Sequence, residues 1–278
     1  MSAALDRFDW RRWRLVLAGG AIVGVILLCA IFAPLIAPYS PYDLDVAVML
    51  QGPGAEHLLG TDEVGRDTLS RTIYAARISM QVAFIAASVG LVFGALIGLT
   101  AAYFGGWVDL VLMRFMELLF SFPAILLAVV LMASLGTSIA NAMLAIGIVF
   151  IPGFARLARA STEVVLREQY VEAAQAVGMS HGRIILREIL PNIVAPLLVE
   201  AAVAFSYAVL LESALSFLGL GAQPPEPSWG NMLNTGRGFM AQAPWLSIVP
   251  GMAIFLTVLG FNTLGDGLRD VLDPHLRQ

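Results

Sequence analysis

The chain has 278 residues, 59% of them hydrophobic and only 13% charged, with a formal net charge of −4. Soluble domains average about 45–50% apolar residues with glycine included and about 25% charged ones, so this composition argues against a soluble fold, which would expose large apolar patches. All 16 basic residues are arginine; with no lysine, a P-loop that cradles ATP phosphates, a Schiff-base lysine and a Ser–Lys dyad are all excluded.

A bilayer core about 30 Å thick needs about 20 apolar helical residues. Six stretches meet that need: 15–36, 78–104, 115–135, 139–157, 193–218 and 246–264. The first follows Arg7, Arg11, Arg12 and Arg14. A signal peptide begins in the same way, but an apolar run of about 22 residues is longer than its usual core. No clean small-x-small cleavage site precedes Tyr39, so the stretch reads as an uncleaved span. The third is the least clean, because Glu117 lies near its start beside Arg114. Pro123, Pro152, Pro196 and Pro250 fall within spans, as kinks or as bend points for opening and closing. Cys29, the sole cysteine, sits in an apolar run and has no partner for an internal disulfide. His57, His181 and His275 lack metal-ligand spacing, and no metal site is expected.

Arginine placement predicts orientation. With the N-terminus in the cytoplasm, arginines 7, 11, 12, 14, 114, 156, 159, 167, 183, 187, 269 and 277 are cytoplasmic. Only 66, 71, 77 and 237 are external, the bias of the positive-inside rule. Both termini are then cytoplasmic in a multi-pass inner-membrane protein. Three long segments remain outside the spans: 38–77 and 219–245 externally, and 158–192 in the cytoplasm. Such loops in compact proteins are commonly functional. The chain divides into residues 1–77 (N-terminus, first span and external loop), 78–270 (five spans) and 271–278 (cytoplasmic tail).

The cytoplasmic segment carries the strongest pattern. Alanine-rich residues around Glu172, Ala173 and Ala174 favour helix, and Gly178 suits the left-handed position that stops one. Tyr170, Ala173, Ala174 and Val177, at i, i+3, i+4 and i+7, form one apolar stripe. A second short helix is expected over 180–190, before Pro191 and the next span. On physics alone this is a docking element or a loop helix that packs on its own protein.

Glu172-Ala173-Ala174, Gly178 and Leu190-Pro191 at this spacing resemble the EAA loop of type I ABC importer permeases. Glu188 stands where that family often has histidine. The stretches His57–Arg71, Ser213–Gly230 and Asn262–Pro274 resemble the dipeptide/oligopeptide/nickel permease family, closest to the second of its two paired permease subunits. The resemblance implies an all-α membrane protein with six transmembrane helices and the type I ABC importer permease fold. It implies a heterodimer with a second permease subunit, two ATP-binding subunits that hold ATP and magnesium, and an extracytoplasmic substrate-binding protein. The chain itself would have no cofactor and no catalytic residue, and no nucleic-acid partner is expected. Tyr170, Glu172, Ala173, Ala174, Gly178, Leu190 and Pro191 would form the coupling site. Asp62, Arg66, Asp67, Pro224 and Trp229 would form the external gate or the surface for the binding protein. The imported solute would be a peptide, with nickel or another small solute as the alternative.

Read from the residues alone, Asp62, Arg66, Asp67 and Arg71 alternate in sign, with Asp67 and Arg71 spaced for an i, i+4 pair in a solvated element. The prolines at 224, 225 and 227 suit an external flap. Glu200 and Glu212 lie inside the fifth span, where a charge must face protein or water. Glu200 either lines the translocation cavity or pairs with an arginine such as Arg156; Glu212 is expected at the cavity mouth. Two rival functions stand beside the importer. An ion-coupled transporter acting alone would need clustered membrane carboxylates or repeat-related broken helices, and an intramembrane enzyme would need a catalytic constellation within the spans; the sequence displays neither.

Overall fold

A computed structural model describes residues 10–272. Arg7, Asp273, Pro274, His275 and Arg277 lie outside the described residues, as does most of the expected tail. The chain is helical: α1 (Trp10–Ile31), α2 (Ala33–Ile36), α3 (Thr68–Phe104), α4 (Gly106–Phe120), α5 (Ala124–Leu135), α6 (Ile139–Val165), α7 (Gln169–Ala176), α8 (His181–Ile184), α9 (Leu190–Phe217), α10 (Trp229–Arg237) and α11 (Trp245–Leu272). Among the described residues, α1, α3, α6, α11 and the run from α8 through α9 are each long and apolar enough to cross a membrane.

The third expected span, 115–135, is not one straight helix. α4 and α5 meet at an angle of 92°. At about 1.5 Å per residue, their 15 and 12 residues give roughly 22 and 18 Å, each short of a bilayer core. Pro123 causes the break: it has no N–H for the helix ladder and disfavours helical geometry at the residue before it. The other three membrane prolines, Pro152, Pro196 and Pro250, sit inside continuous helices.

The spans are also longer than their apolar runs. α3 begins at Thr68 and has 37 residues, about 55 Å of helix, so its end turns project beyond any bilayer core. The tightest packing joins α3 to α6 through Gly90, Gly94 and Gly98. A Cβ at Gly90 would stand 2.6 Å from the Phe150 Cβ, one at Gly94 would stand 2.7 Å from the Ile151 carbonyl, and one at Gly98 would collide with the Ala155 carbonyl. Small residues four apart let two backbones touch where lipid supplies no hydrophobic drive. α1 and α11 run antiparallel by the same device, with Gly19 against Gly260 and Gly267 against Val16.

The two ends of the bundle differ. At one, residues 38–67 and 219–244 form a cap over the start of α3 and the end of α9. Trp229 Nε1 donates to the Thr72 carbonyl at 3.1 Å, Trp245 Nε1 to that of Thr61 at 3.2 Å, and the Tyr42 hydroxyl to Glu226 at 3.1 Å. At the other end lie α7, α8, the start of α1 and the end of α11. There the Tyr103 hydroxyl, on the last turn of α3, meets His181 Nδ1 at 2.7 Å.

Candidate functional site

Segment 166–191 is built as a short hairpin. Three bonds close the C-terminus of α7: Val177 N–H to the Ala173 carbonyl (3.1 Å), Gly178 N–H to Gln175 (3.0 Å) and Met179 N–H to Ala174 (3.1 Å). The last two are the reciprocal pair of a Schellman motif, which requires a left-handed residue at its turn. Gly178 supplies it, with φ +73°.

The expected apolar stripe divides between two faces. Val171 (0% exposed) and Ala174 are buried in the bundle, whereas Tyr170 (41%), Ala173 and Val177 (79%) face outward with Glu172. The inward register is Val171–Ala174, one position off the expected stripe. The outward face combines small, apolar and acidic groups within eight residues.

The segment does not end in a separate second helix. α8 passes through one π-helical turn, Ile185–Ile189, into α9. Leu190 N–H reaches back to the Ile185 carbonyl, and Pro191 follows in the first turn of α9, where its missing N–H costs least. Asn192 Nδ2 donates to the Glu188 carbonyl at 2.6 Å. Leu190 is half-buried and Pro191 exposed. α8, the π turn and α9 thus form one continuous helical rod, and His181 at its start is bonded to Tyr103 at the end of α3.

In the cap, Asp62 is buried and accepts from Arg66 Nε at 2.6 Å and from the backbone N–H groups of Val64 (3.0 Å) and Arg66 (2.9 Å). Arg71, also buried, lies 3.5 Å from the same carboxylate and donates to the Pro41 carbonyl at 3.0 Å. The expected Asp67–Arg71 pair does not form. Asp67 instead caps α3, accepting from the Ser70 N–H and hydroxyl at 2.7 Å each, with His57 Nδ1 at 2.9 Å. An aspartate ahead of a helix satisfies otherwise orphaned N–H donors, and that role turns the carboxylate away from Arg71. The element is thus an enclosed network, not a solvated one. Burial raises the Glu63 carboxyl above the ordinary range, and the neighbouring Asp62 charge adds to the shift.

Trp229 is 2% exposed, its ring inside the cap. Asp62, Asp67 and Trp229 therefore hold the cap together from within. Pro224 is exposed, whereas the Arg66 side chain is 14% exposed and tied to both Asp62 and Glu63, so of the five expected external residues Pro224 alone is openly presented to a partner.

Within the spans, Glu212 is 1% exposed and accepts from Ser79 Oγ at 3.0 Å and Ser216 Oγ at 2.8 Å. It is sealed between α3 and α9 and faces no cavity mouth. Glu200 does not pair with Arg156, whose guanidinium lies 3.4 Å over the Phe120 ring. Glu200 instead lines a cavity of about 540 Å³ with Asn192, Asp266 and Arg269. The expected Arg114–Glu117 pair forms at 2.9 Å. Sequence reading missed the bidentate Arg159–Asp109 pair (2.6 and 2.7 Å), which ties α6 to α4; fifty residues separate its partners, and no local pattern links them. It also missed the Gly90-Gly94-Gly98 spacing, which was visible.

This is the architecture of a polytopic permease: long crossing helices, one broken pair, an enclosed cap at one end and an outward-facing helix at the other. Residues 90–278 match the family described as binding-protein-dependent transport system inner membrane component, and residues 7–53 match the N-terminal transmembrane domain of oligopeptide transport permease C. The chain belongs to this ABC importer permease family. It is 47% identical over 264 residues to the dipeptide transport system permease protein DppC of Alkalihalophilus pseudofirmus, covering 95% of this chain and 87% of the relative. It is 42% identical over 272 residues to the glutathione transport system permease protein GsiD of Pectobacterium atrosepticum, covering 96% and 90%. Among solved structures, an amino acid ABC transporter with histidines superposes with a TM-score of 0.56 at 17% identity, covering 71% of this chain and 92% of that one; that likeness concerns the fold.

Proposed function

We propose that this chain is one half of the translocation pathway of an ATP-driven importer of short peptides, paired with a second permease subunit. Two separate subunits bind ATP and magnesium; this chain carries out no hydrolysis. The outward face of α7, with Tyr170, Glu172, Ala173 and Val177, seats in a cleft of one ATPase subunit. A binding protein delivers solute to the cap, with Pro224 on the contact surface and Arg66 holding the cap together beneath it through Asp62 and Glu63. Both termini and α7 lie in the cytoplasm, by the arginine bias. Closure of the ATPases on ATP favours one of two permease conformations, and the work passes through α7, α8 and the π turn into α9.

The observation that carries this reading is the exposed α7 face, closed by the Gly178 turn and followed at once by α8, which runs on into the membrane helix α9. Dipeptides and glutathione, the solutes named for the two relatives above, share a peptide-like backbone, which favours that class over nickel. The test is reconstitution in proteoliposomes. Dialanine uptake should require the second permease, the ATPases, the binding protein and ATP together. Uptake by this chain alone without ATP would replace the proposal with an ion-coupled transporter.

A further inference from the structure

The cavity between α6, α9 and α11 has a volume of about 540 Å³, within the about 300–1,000 Å³ range of small-molecule sites. It reaches from Glu200, ten residues into α9, to Asn192 and Leu272 at the ends of α9 and α11 nearest α7. Pro196 and Val203 supply apolar wall, and Asp266 and Arg269 project from α11. Glu200, Asp266 and Arg269 have no hydrogen-bond or ion-pair partner among the described residues, whereas Asp109, Glu117, Arg159 and Glu212 are all partnered. The side-chain amide nitrogen of Asn192 is committed to the Glu188 carbonyl, which leaves its oxygen as an acceptor. Glu200 lies within the apolar run of its span, where an ionisable group without a partner is a candidate functional site; Asp266 and Arg269 stand in the exposed polar turns of α11 at the mouth of the same cavity.

We infer that this cavity is a transient binding site for the two charged ends of the transported solute. Glu200 and Asp266, with the Asn192 amide oxygen, receive an α-ammonium, and Arg269 receives an α-carboxylate through its planar pair of donors. Two carboxylates and one guanidinium complement a zwitterion, and the apolar wall tolerates varied side chains between its ends. The site rests on the peptide-importer reading above, and names the residues that would hold the solute on the side of α7.

The test uses the assembled permease–ATPase complex, without binding protein or nucleotide, in detergent. Binding of radiolabelled dialanine is compared with N-acetyl-dialanine and dialanine amide. Removing one charge-assisted bond weakens binding by about tenfold or more. Glu200→Gln with Asp266→Asn should weaken dialanine and the amide by at least that factor and leave the acetylated probe unaffected. Arg269→Gln should weaken dialanine and the acetylated peptide but not the amide. Equal binding of all three probes by wild type, or unchanged binding by both variants, overturns the site. Failure of either variant to assemble with its partner subunits would place these charges at a subunit contact and also overturns it. The importer reading is judged separately, by ATP-dependent uptake of dialanine in the wild-type complex. If wild type takes up dialanine while the variants bind normally, the site alone has failed.

Discussion

Gly178 offers the sharpest test of how the coupling segment is built. Its φ of +73° lies in the left-handed region, and a Cβ there would meet nothing within 4 Å. Gly178→Ala therefore introduces no collision; its cost is purely conformational, about 1–2 kcal/mol for an L-residue in left-handed geometry. That corresponds to a factor of about 5–30 in a local equilibrium. The bonds at risk are those from Gly178 to Gln175 and from Met179 to Ala174. Hydrogen exchange at the amides of residues 177–179 in the assembled complex should accelerate by that factor. Gly182 is the control: it lies in α8 without positive φ, and a Cβ there also meets nothing. Gly182→Ala should leave exchange unchanged or slow it. Equal behaviour of the two variants would show that the turn does not depend on left-handed backbone, and the structural account of the loop would be wrong.

Four further outcomes follow from the packing and the cap. Gly94→Leu should drive α3 from α6 and abolish recovery of folded protein in detergent, whereas Gly20→Leu, at a position with nothing within 4 Å of its Cβ, should be tolerated. Glu212→Ala should lower the thermal midpoint, because the Ser79 and Ser216 hydroxyls lose their acceptor at about 1–3 kcal/mol for each buried orphan; Glu212→Gln, which keeps an acceptor, should cost less. Asp67→Ala removes the α3 cap and should destabilise the protein by about 1–2 kcal/mol in chemical denaturation, with Asp67→Asn close to wild type. Glu63 titrates above its unfolded value, so its protonated form favours the folded cap: its contribution is present at acid pH and lost as pH rises through the folded-state value. Glu63→Gln should therefore raise the melting temperature at pH 8 and converge with wild type near pH 4.

The apolar runs made the existence of the spans legible, because lipid demands about 20 such residues whatever the fold around them. They did not reveal the helix lengths, since Thr68–Arg77 and Asp266–Leu272 continue helices whose polar turns leave the hydrophobic signal. Nor could a run over 115–135 report a change of direction; Pro123 was the only local mark of it. The turn at Gly178 was legible because left-handed backbone selects glycine. The register of α7 was not, because an alanine-rich helix has little contrast between faces and tertiary contact with Val171 decided it. In the cap, charge alternation suggested Asp67–Arg71, but capping by Asp67 and the non-local Asp62–Arg71 contact won. Trp229 was expected in the external gate or the surface for the binding protein; its indole N–H instead donates to the Thr72 carbonyl, 157 residues away in sequence.

Cysteine cross-linking between α7 and the ATPase subunit tests the proposed coupling most directly. With Cys29 replaced by alanine, a cysteine at exposed Val177 should form a bifunctional-reagent adduct with the ATPase in native membranes. The yield should change when ATP is added, while a cysteine at buried Val171 should form none. Modification of Val177→Cys by an impermeant thiol reagent from the external face, with no ATPase adduct under any nucleotide condition, would place α7 on the wrong side of the bilayer and end the proposal.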